Sequence, residues 1–199
     1  MTDDLINISA LARKLKSEIE AKVGKEVKEG AIIMAIKRMT PGLYHRLNVK
    51  IKNVMGDLGD FLVRSNLCDY TFSNSPTIKL RQTELIHEIS KENDSFYALC
   101  KGVSETTFVL NMSHSGLIEK LFEGEQLLSN SKDLASVTVK LPVVNTEIYG
   151  IYYYILKHLA WEGVNIIELV STSNEFTIII HQNDVDKAFR ILMNLKRGD

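Results

Sequence analysis

Residues 149–180 read YGIYYYILKHLAWEGVNIIELVSTSNEFTIII, and the fold turns on this stretch. Its first half carries apolar residues at helical spacing, with Tyr152, Ile155, Leu156 and Leu159 able to share a face toward a sheet. The second half holds two strand-like runs, Asn165–Ser173 and the segment after Glu175, joined by the tight link Ser173-Asn174-Glu175, a hairpin signal. Outward from it, Val137–Leu141 reads as a preceding strand, and Asn183–Arg190 as a helix that follows. On a helix over 149–163, Tyr154, Lys157 and Trp161 fall on another face than the sheet-facing residues, an aromatic stripe suited to an interface.

The same order occurs once more upstream. At an offset of 70 residues, Ser95–Leu110 (SFYALCKGVSETTFVL) falls on Asn165–Ile180 without a gap. Glu105 meets Glu175, Thr107 meets Thr177 and Leu99 meets Leu169. The helical stretch 78–93 falls on 148–163, and Ser115–Phe122 on Asn183–Arg190. The leading strands, Leu67–Phe72 and Val137–Leu141, need a shift of about one residue. Each unit therefore reads strand, helix, strand, strand, helix: an α+β chain of two ferredoxin-like βαββα(β) units. Gln126–Ser131 is a weak candidate for the first unit's fourth strand. The second unit's must be absent or come from elsewhere in the chain or a partner.

Catalytic constellations are missing. The five histidines show no HxxxH or HExxH spacing, and there is no CxxC, GxSxG or GxxxxGK[ST]. No catalytic residue, cofactor or metal site is expected. Asn183 and Asp184 read as first-turn residues of a helix.

The segment Pro142–Gly150 lies between a strand and a helix, and its local chemistry admits two readings. It can be a plain turn with a polar cap. It can also be a ligand loop: Gly150 removes a side chain where backbone approaches a ligand, and the helix start near Ile151 offers unpaired N–H groups to a carboxylate. Asn145 and Thr146 add donors and acceptors. The first unit's loop, Ser73-Asn74-Ser75-Pro76, has no such glycine and is expected to be degenerate or structural.

Residues 136–195 resemble an ACT domain, and most of all those at the C-terminus of aspartokinases. The matching pieces are SVTVKLP at 136–142, the run at 149–180, and DVDKAFRIL at 184–192. Residues 61–131 resemble the same domain more weakly, with Leu80 where the glycine would stand and Ser95-Phe96 in place of the Asn-Ile pair. The resemblance implies allosteric sensing of a small molecule, usually an amino acid, between paired domains. It places ligand contacts on Asn145, Thr146, Ile148, Tyr149, Gly150 and Ile151, with Ser171 and Thr172 nearby. No stretch resembles the kinase domain, so the regulatory part without the enzyme is implied. A homodimer is expected.

The chain carries 45% hydrophobic and 25% charged residues and a net charge of −1, an ordinary globular composition. The charge is uneven: residues 1–55 carry a net of +5 and residues 56–199 a net of −6. We therefore divide the chain into a basic helical head (1–55), a first unit (56–131) and a second (132–199). In the head, Ser9 can cap a helix with Leu11, Ala12, Leu15, Ile19 and Val23 on its apolar face, closed by Gly24. A second helix with Val27, Ala31, Met34, Ala35 and Ile36 as candidate buried positions ends at Pro41-Gly42. Residues 43–57 read as strand or short helix. The two helices faintly resemble a helix-turn-helix, with Lys28, Lys37 and Arg38 as candidate DNA contacts. A solvated mixed-charge face explains the same residues. A DNA-binding regulator that uses the ACT pair to dimerise is thus the alternative function. Cys68 and Cys100 read as buried thiols in a cytoplasmic protein. Ile148–Leu156, the most apolar stretch, is too short for a membrane span of roughly 20 residues.

Overall fold

A computed structural model describes residues 7–92 and 95–198, without the side chains of 39–49. The acidic start Met1–Asp4 lies outside the described residues. Two helices lead, α1 (Ile8–Val23) and α2 (Glu29–Gly56). The first unit follows as β1 (Phe61–Ser73), α3 (Ile78–Ile89), β2 (Tyr97–Lys101), β3 (Glu105–Asn111) and α4 (Ser115–Leu121). The second comprises β4 (Leu127–Lys140), α5 (Ile151–Trp161), β5 (Ile166–Ser171), β6 (Glu175–His181) and α6 (Val185–Arg197). The expected α+β, ACT-type ferredoxin-like architecture is present.

All six strands form one antiparallel sheet in the order β2-β3-β1-β4-β6-β5. Two long strands at its centre serve both units. The far end of β4 (Leu127–Ser131) pairs with Asp69–Phe72 and completes the first unit, where Gln126–Ser131 was the candidate. Reciprocally, the start of β1 (Phe61–Arg64) pairs with Ser136–Val139 and supplies the second unit's fourth strand from within the chain. The 131/132 division thus falls inside β4. Each central strand changes unit at a register shift, next to a left-handed residue: Asn66 (φ 57°) and Asp133 (φ 56°). Asparagine and aspartate tolerate this conformation better than other side-chain-bearing residues.

The repeat is structural, with β2 on β5 and β3 on β6 at the offset of 70. The leading strands shift by more than the one residue expected. Thr71 and Thr107 share a 2.8 Å hydroxyl contact on paired strands, and so do Thr138 and Thr177. Thr71 therefore corresponds to Thr138, three residues away from the 70-residue offset. The difference is absorbed in the strand-to-helix loops, which apolar periodicity does not read.

Alternation places Cys68, Tyr70, Phe72, Phe108 and Leu110 under α3 and α4, and Val137, Val139, Phe176, Ile178 and Ile180 under α5 and α6. The opposite face buries a third cluster, Leu67, Val109, Leu134 and Ile179, with Phe96, Ala98 and Ile167 against it. Both faces of the central strands are thus covered there, which explains the unbroken buried runs Leu67–Phe72 and Leu134–Val139. Asp69 is buried on that second face, and burial raises its carboxyl above the ordinary range. Burial also raises Glu168, and the Asp69 charge raises it further. Cys68 is buried, its thiol pushed up to about 11 by desolvation, but Cys100 is exposed because it lies on edge strand β2.

The head departs from expectation in three ways. Asn7, not Ser9, caps α1, its Oδ1 accepting from the Ala10 N–H at 3.0 Å; Gly24 closes the helix as expected. In the first turns of α2 Ile32 is buried, whereas Ala31, Met34 and Ala35 are exposed, so the apolar face was misphased. And α2 runs through Pro41-Gly42 to Gly56. A proline removes one backbone hydrogen bond, and the turns on either side hold this 28-residue helix through the gap. Its last turns carry Ile51, Val54 and Met55, which with Leu58 are buried in the second unit's core. The ambiguous 43–57 segment is therefore a helix, and Ile51 belongs to a helical face, not a strand alternation.

Candidate functional site at the start of the second-unit helix

The Pro142–Gly150 loop is pinned from inside. Asn145 is buried, and its side-chain amide donates to the carbonyls of Pro142 and Ser173, both at 2.9 Å. It thereby ties the loop to the β5–β6 hairpin, aided by the Leu141 N–H bonding to the Asn174 carbonyl at 2.7 Å. Both amide protons are committed, so Oδ1 is what Asn145 has left for a ligand. Val143–Glu147 forms a 3-10 turn, with Thr146 and Tyr149 exposed and Ile148 half-buried.

Gly150 adopts φ 87°, ψ 8°, a conformation that favours glycine. A Cβ there would stand 3.4 Å from Ile51 Cδ1. The glycine thus meets the last part of α2 as well as solvent, a contact that sequence did not reveal. Gly150 begins α5 without any side-chain cap, and the first bond back to it comes from the Tyr154 N–H, at 2.9 Å to its carbonyl. The N–H groups of Ile151, Tyr152 and Tyr153 point out of the helix start with its partial positive charge.

Beside this helix start, Tyr152 Oη lies 3.0 Å from Ser171 Oγ, and the Tyr152 ring packs on Phe176 at 4.9 Å. Ser171 Oγ also reaches the carbonyls of Thr172 and Glu175 at 3.2 Å. Thr172 is exposed at the hairpin turn. The structure therefore links Ser171 to the helix that starts after Gly150 through the Tyr152 hydroxyl, with Thr172 next in the chain. It adds Tyr152, which faces the sheet as the helical wheel had it: the residue is 42% exposed, its ring on Phe176 and its hydroxyl at the end of β5. Tyr154, placed outside the core by sequence, instead packs half-buried against it.

The same corner of the first unit is filled by the chain itself. Ser75 Oγ accepts from the Ile78 N–H at 3.0 Å, capping α3. The Glu125 carboxylate receives the Ser75 and Thr77 hydroxyls, each at 2.6 Å, and these bonds hold its pKa below the ordinary value. Asn74 plays the part of Asn145, donating to the carbonyls of Gly102 and Val103, both at 3.0 Å.

The nucleic-acid candidates do not converge. Lys28 caps α2 from outside, whereas Lys37 and Arg38 lie nine and ten residues on, about 14 Å along the helix. Arg38 Nε donates to its own helix, to the Met34 carbonyl at 3.3 Å. Among the described residues no group of three or more His, Cys, Asp or Glu could hold a metal, and no helix is long and apolar enough to cross a membrane.

By sequence, no protein-family model matches this chain, and no curated protein does. By structure, the fold is that of the ACT-containing regulatory part of aspartokinases. It matches the ligand-free regulatory subunit of aspartate kinase from Thermus thermophilus at a TM-score of 0.56 and 13% identity, covering 69% of this chain and 97% of that one. It matches the Clostridium acetobutylicum aspartate kinase at 0.56 and 16%, covering 69% of this chain and 34% of that one. Escherichia coli aspartokinase III, solved with aspartate and ADP, matches at 0.53 and 14%, over 68% of this chain and 32% of that one. The chain therefore spans about a third of the full-length kinases, and the regulatory subunits are matched nearly whole. These neighbours are regulatory subunits or whole kinases matched over a third of their length.

Proposed function

We propose that this chain is a non-catalytic, allosteric regulatory protein whose second unit binds a small amino acid at the start of α5. The carboxylate sits on the free N–H groups of Ile151–Tyr153. Ser171 and the Asn145 Oδ1 face the ammonium side, and Thr146, Ile148, Tyr149 and Thr172 border the ligand. One observation carries this reading: the first unit holds a carboxylate of its own, Glu125, by the start of α3, and the described chain offers none at the uncapped start of α5. The structural neighbours support it, since one Escherichia coli aspartokinase III structure was solved with lysine and aspartate. Among the described residues, the basic head gives the DNA-binding alternative no clustered phosphate site.

The test is a thermal-shift screen of the full chain against the twenty amino acids, followed by titration calorimetry. A true ligand at 100 times its dissociation constant raises stability by about 2.7 kcal/mol. Its carboxamide should bind far more weakly. If no amino acid shifts the melting temperature, or acid and amide bind alike, the proposal fails.

A further inference from the structure

A groove of about 390 Å³ runs between the C-terminal end of α5 and the side of α6, room for one small molecule. It lies at the other end of α5 from the amino-acid site proposed above, about 16 Å away along an 11-residue helix. Ile191 and the buried Leu195 give it an apolar wall. Trp161 borders it, 69% exposed, with the Lys157 ammonium over its ring at 4.3 Å. Two more cations come from α6. Lys187 reaches across to the end of α5, where its Nζ stands 3.8 Å from the place a Gly163 Cβ would take. Arg190 follows one turn along α6 and is exposed. Among the described residues neither forms an ion pair, although Glu162 also lines the groove. The repeat supplies the control. At the 70-residue offset, His158 and Trp161 are replaced by Glu88 and Lys91, which pair with each other at 2.7 Å. Moreover α4 has only 7 residues against the 13 of α6, so the first unit lacks the long second wall.

We infer that this groove binds a nucleoside monophosphate, its phosphate on Arg190 and Lys187 and its base on the indole of Trp161. The chemistry of the lining selects this class. An unpaired guanidinium beside an unpaired ammonium matches a phosphate dianion, and the guanidinium fork takes two of its oxygens. An indole stacks on any base, and a cation on one face leaves the other face for it. His158 Nδ1 donates to the Tyr154 carbonyl at 2.7 Å, so Nε2 is the polar atom the ring has left, an acceptor for a base amino group or a sugar hydroxyl. Asn194 adds a carboxamide that both donates and accepts. Three cations against the Glu162 carboxylate leave a net charge of +2. A phosphate monoester of close to −2 offsets that, and a triphosphate exceeds it.

Trp161 is the only tryptophan in the chain, so indole fluorescence reports this groove alone. Excited at the red edge of the indole band, the full chain should be quenched saturably by at least one of the four common 5′-nucleoside monophosphates. Titration calorimetry should give one site per chain, and the matching nucleoside and inorganic phosphate should each bind at least tenfold more weakly. Arg190→Gln and Lys187→Gln should each weaken the nucleotide about tenfold or more, as loss of a hydrogen bond to a charged group does. Lys91→Gln, at the matching place on α3, should change nothing. Ser171→Ala, at the amino-acid site, should leave nucleotide affinity intact, so that failure of either reading shows by itself. Circular dichroism confirms that each variant is folded. Absence of quenching by all four monophosphates at millimolar concentration would overturn the inference. So would a nucleoside or inorganic phosphate that binds as tightly as the nucleotide, or affinity indifferent to both charge removals.

Discussion

The starts of α3 and α5 occupy the same place in two copies of one fold, and they are finished differently. Ser75 caps α3, and the Glu125 carboxylate is held beside that cap by two hydroxyls. At α5 a left-handed glycine takes the capping position with no side chain to cap it, and Ser171 and Tyr152 stand at the edge. Topology is shared, but the loop before the helix is four residues long in the first unit (74–77) and ten in the second (141–150), so the two starts are finished by different residues. A helix start closed by its own chain costs nothing to leave alone, whereas an open one retains unmet donors that a ligand can meet. The buttressing differs in the same sense. Ile51, Val54, Met55 and Leu58 from α2 and its exit are built into the second unit's core only. A helix whose end seats Ile51 against Gly150 is placed to feel what binds there.

The largest effect that tests this asymmetry is on stability. Met55 is essentially fully buried in the second unit's core. Met55→Ala should cost about 2–5 kcal/mol, by lost transfer energy and the cavity left behind. Hydrogen exchange should accelerate in α5, α6 and β5 before it does in α3 and α4. Uniform acceleration across both units would show that the sheet transmits the loss and that the head is no private buttress of the second.

Next in size is the ligand contact. Ser171→Ala should weaken the amino acid found by screening about tenfold, the worth of one hydrogen bond to a charged group. Ser75→Ala should leave its affinity unchanged while costing about 1 kcal/mol of stability through the lost cap. Calorimetry should give one site per chain. Two sites per chain would break the comparison, since the first unit's corner would then be as open as the second's.

How far the sequence carried is clear from particular residues. The strand and helix order followed from the matched apolar pattern of Ser95–Leu110 and Asn165–Ile180, because buried positions must alternate on a strand whatever lies around them. The first unit's fourth strand was legible as Gln126–Ser131, whereas the source of the second unit's stayed open between absence, another part of the chain and a partner, since which strand fills an edge depends on the turns at Asn66 and Asp133. The α2 phase was missed because residues such as Ala31 and Met34 are apolar enough to suit either side. At the site, Gly150 and Ser171 were legible as residue types at a strand-to-helix turn and a strand end. Tyr152, Ile51 and the Glu125 carboxylate were not. Each reaches the corner from another element or by side-chain direction, which one-dimensional spacing does not record.

A smaller effect concerns the face opposite the helices. Glu168 and Asp69 are both raised by burial, Glu168 further by the charge of Asp69. A carboxyl raised in the fold binds its proton more tightly there than in the unfolded chain. Stability therefore falls as pH rises from the ordinary carboxylate range through the raised folded value, and is flat above it. Glu168→Gln should remove part of this slope and raise the melting temperature at pH 7 but not at pH 4. The matching residue of the first unit is Ala98, so no equivalent slope should arise from Ala98→Ser. A Glu168→Gln gain that is equal at both pH values would point to packing and not to charge.

The smallest expected effect bears most directly on the two helix starts. Glu125 is nearly exposed, and its pKa is lowered first by the Ser75 hydroxyl and then by that of Thr77. For a carboxyl lowered in the fold, the sign is the reverse of that for Glu168: its contribution is present above the ordinary value and lost as pH falls through the folded one. Glu125→Gln keeps the side chain's shape but has one carbonyl oxygen where the carboxylate received two hydroxyls. Solvent screens the contact, so the loss at pH 7 should lie within the ~0–1 kcal/mol typical of exposed ionic contacts. It should vanish at an acid pH below the folded value, where the wild-type carboxylate is protonated too. Urea titrations at the two pH values measure it. A loss of equal size at both would mean that Glu125 only packs beside α3. It would not then be an internal carboxylate, and the inference from the closed corner to the open one would lose its footing.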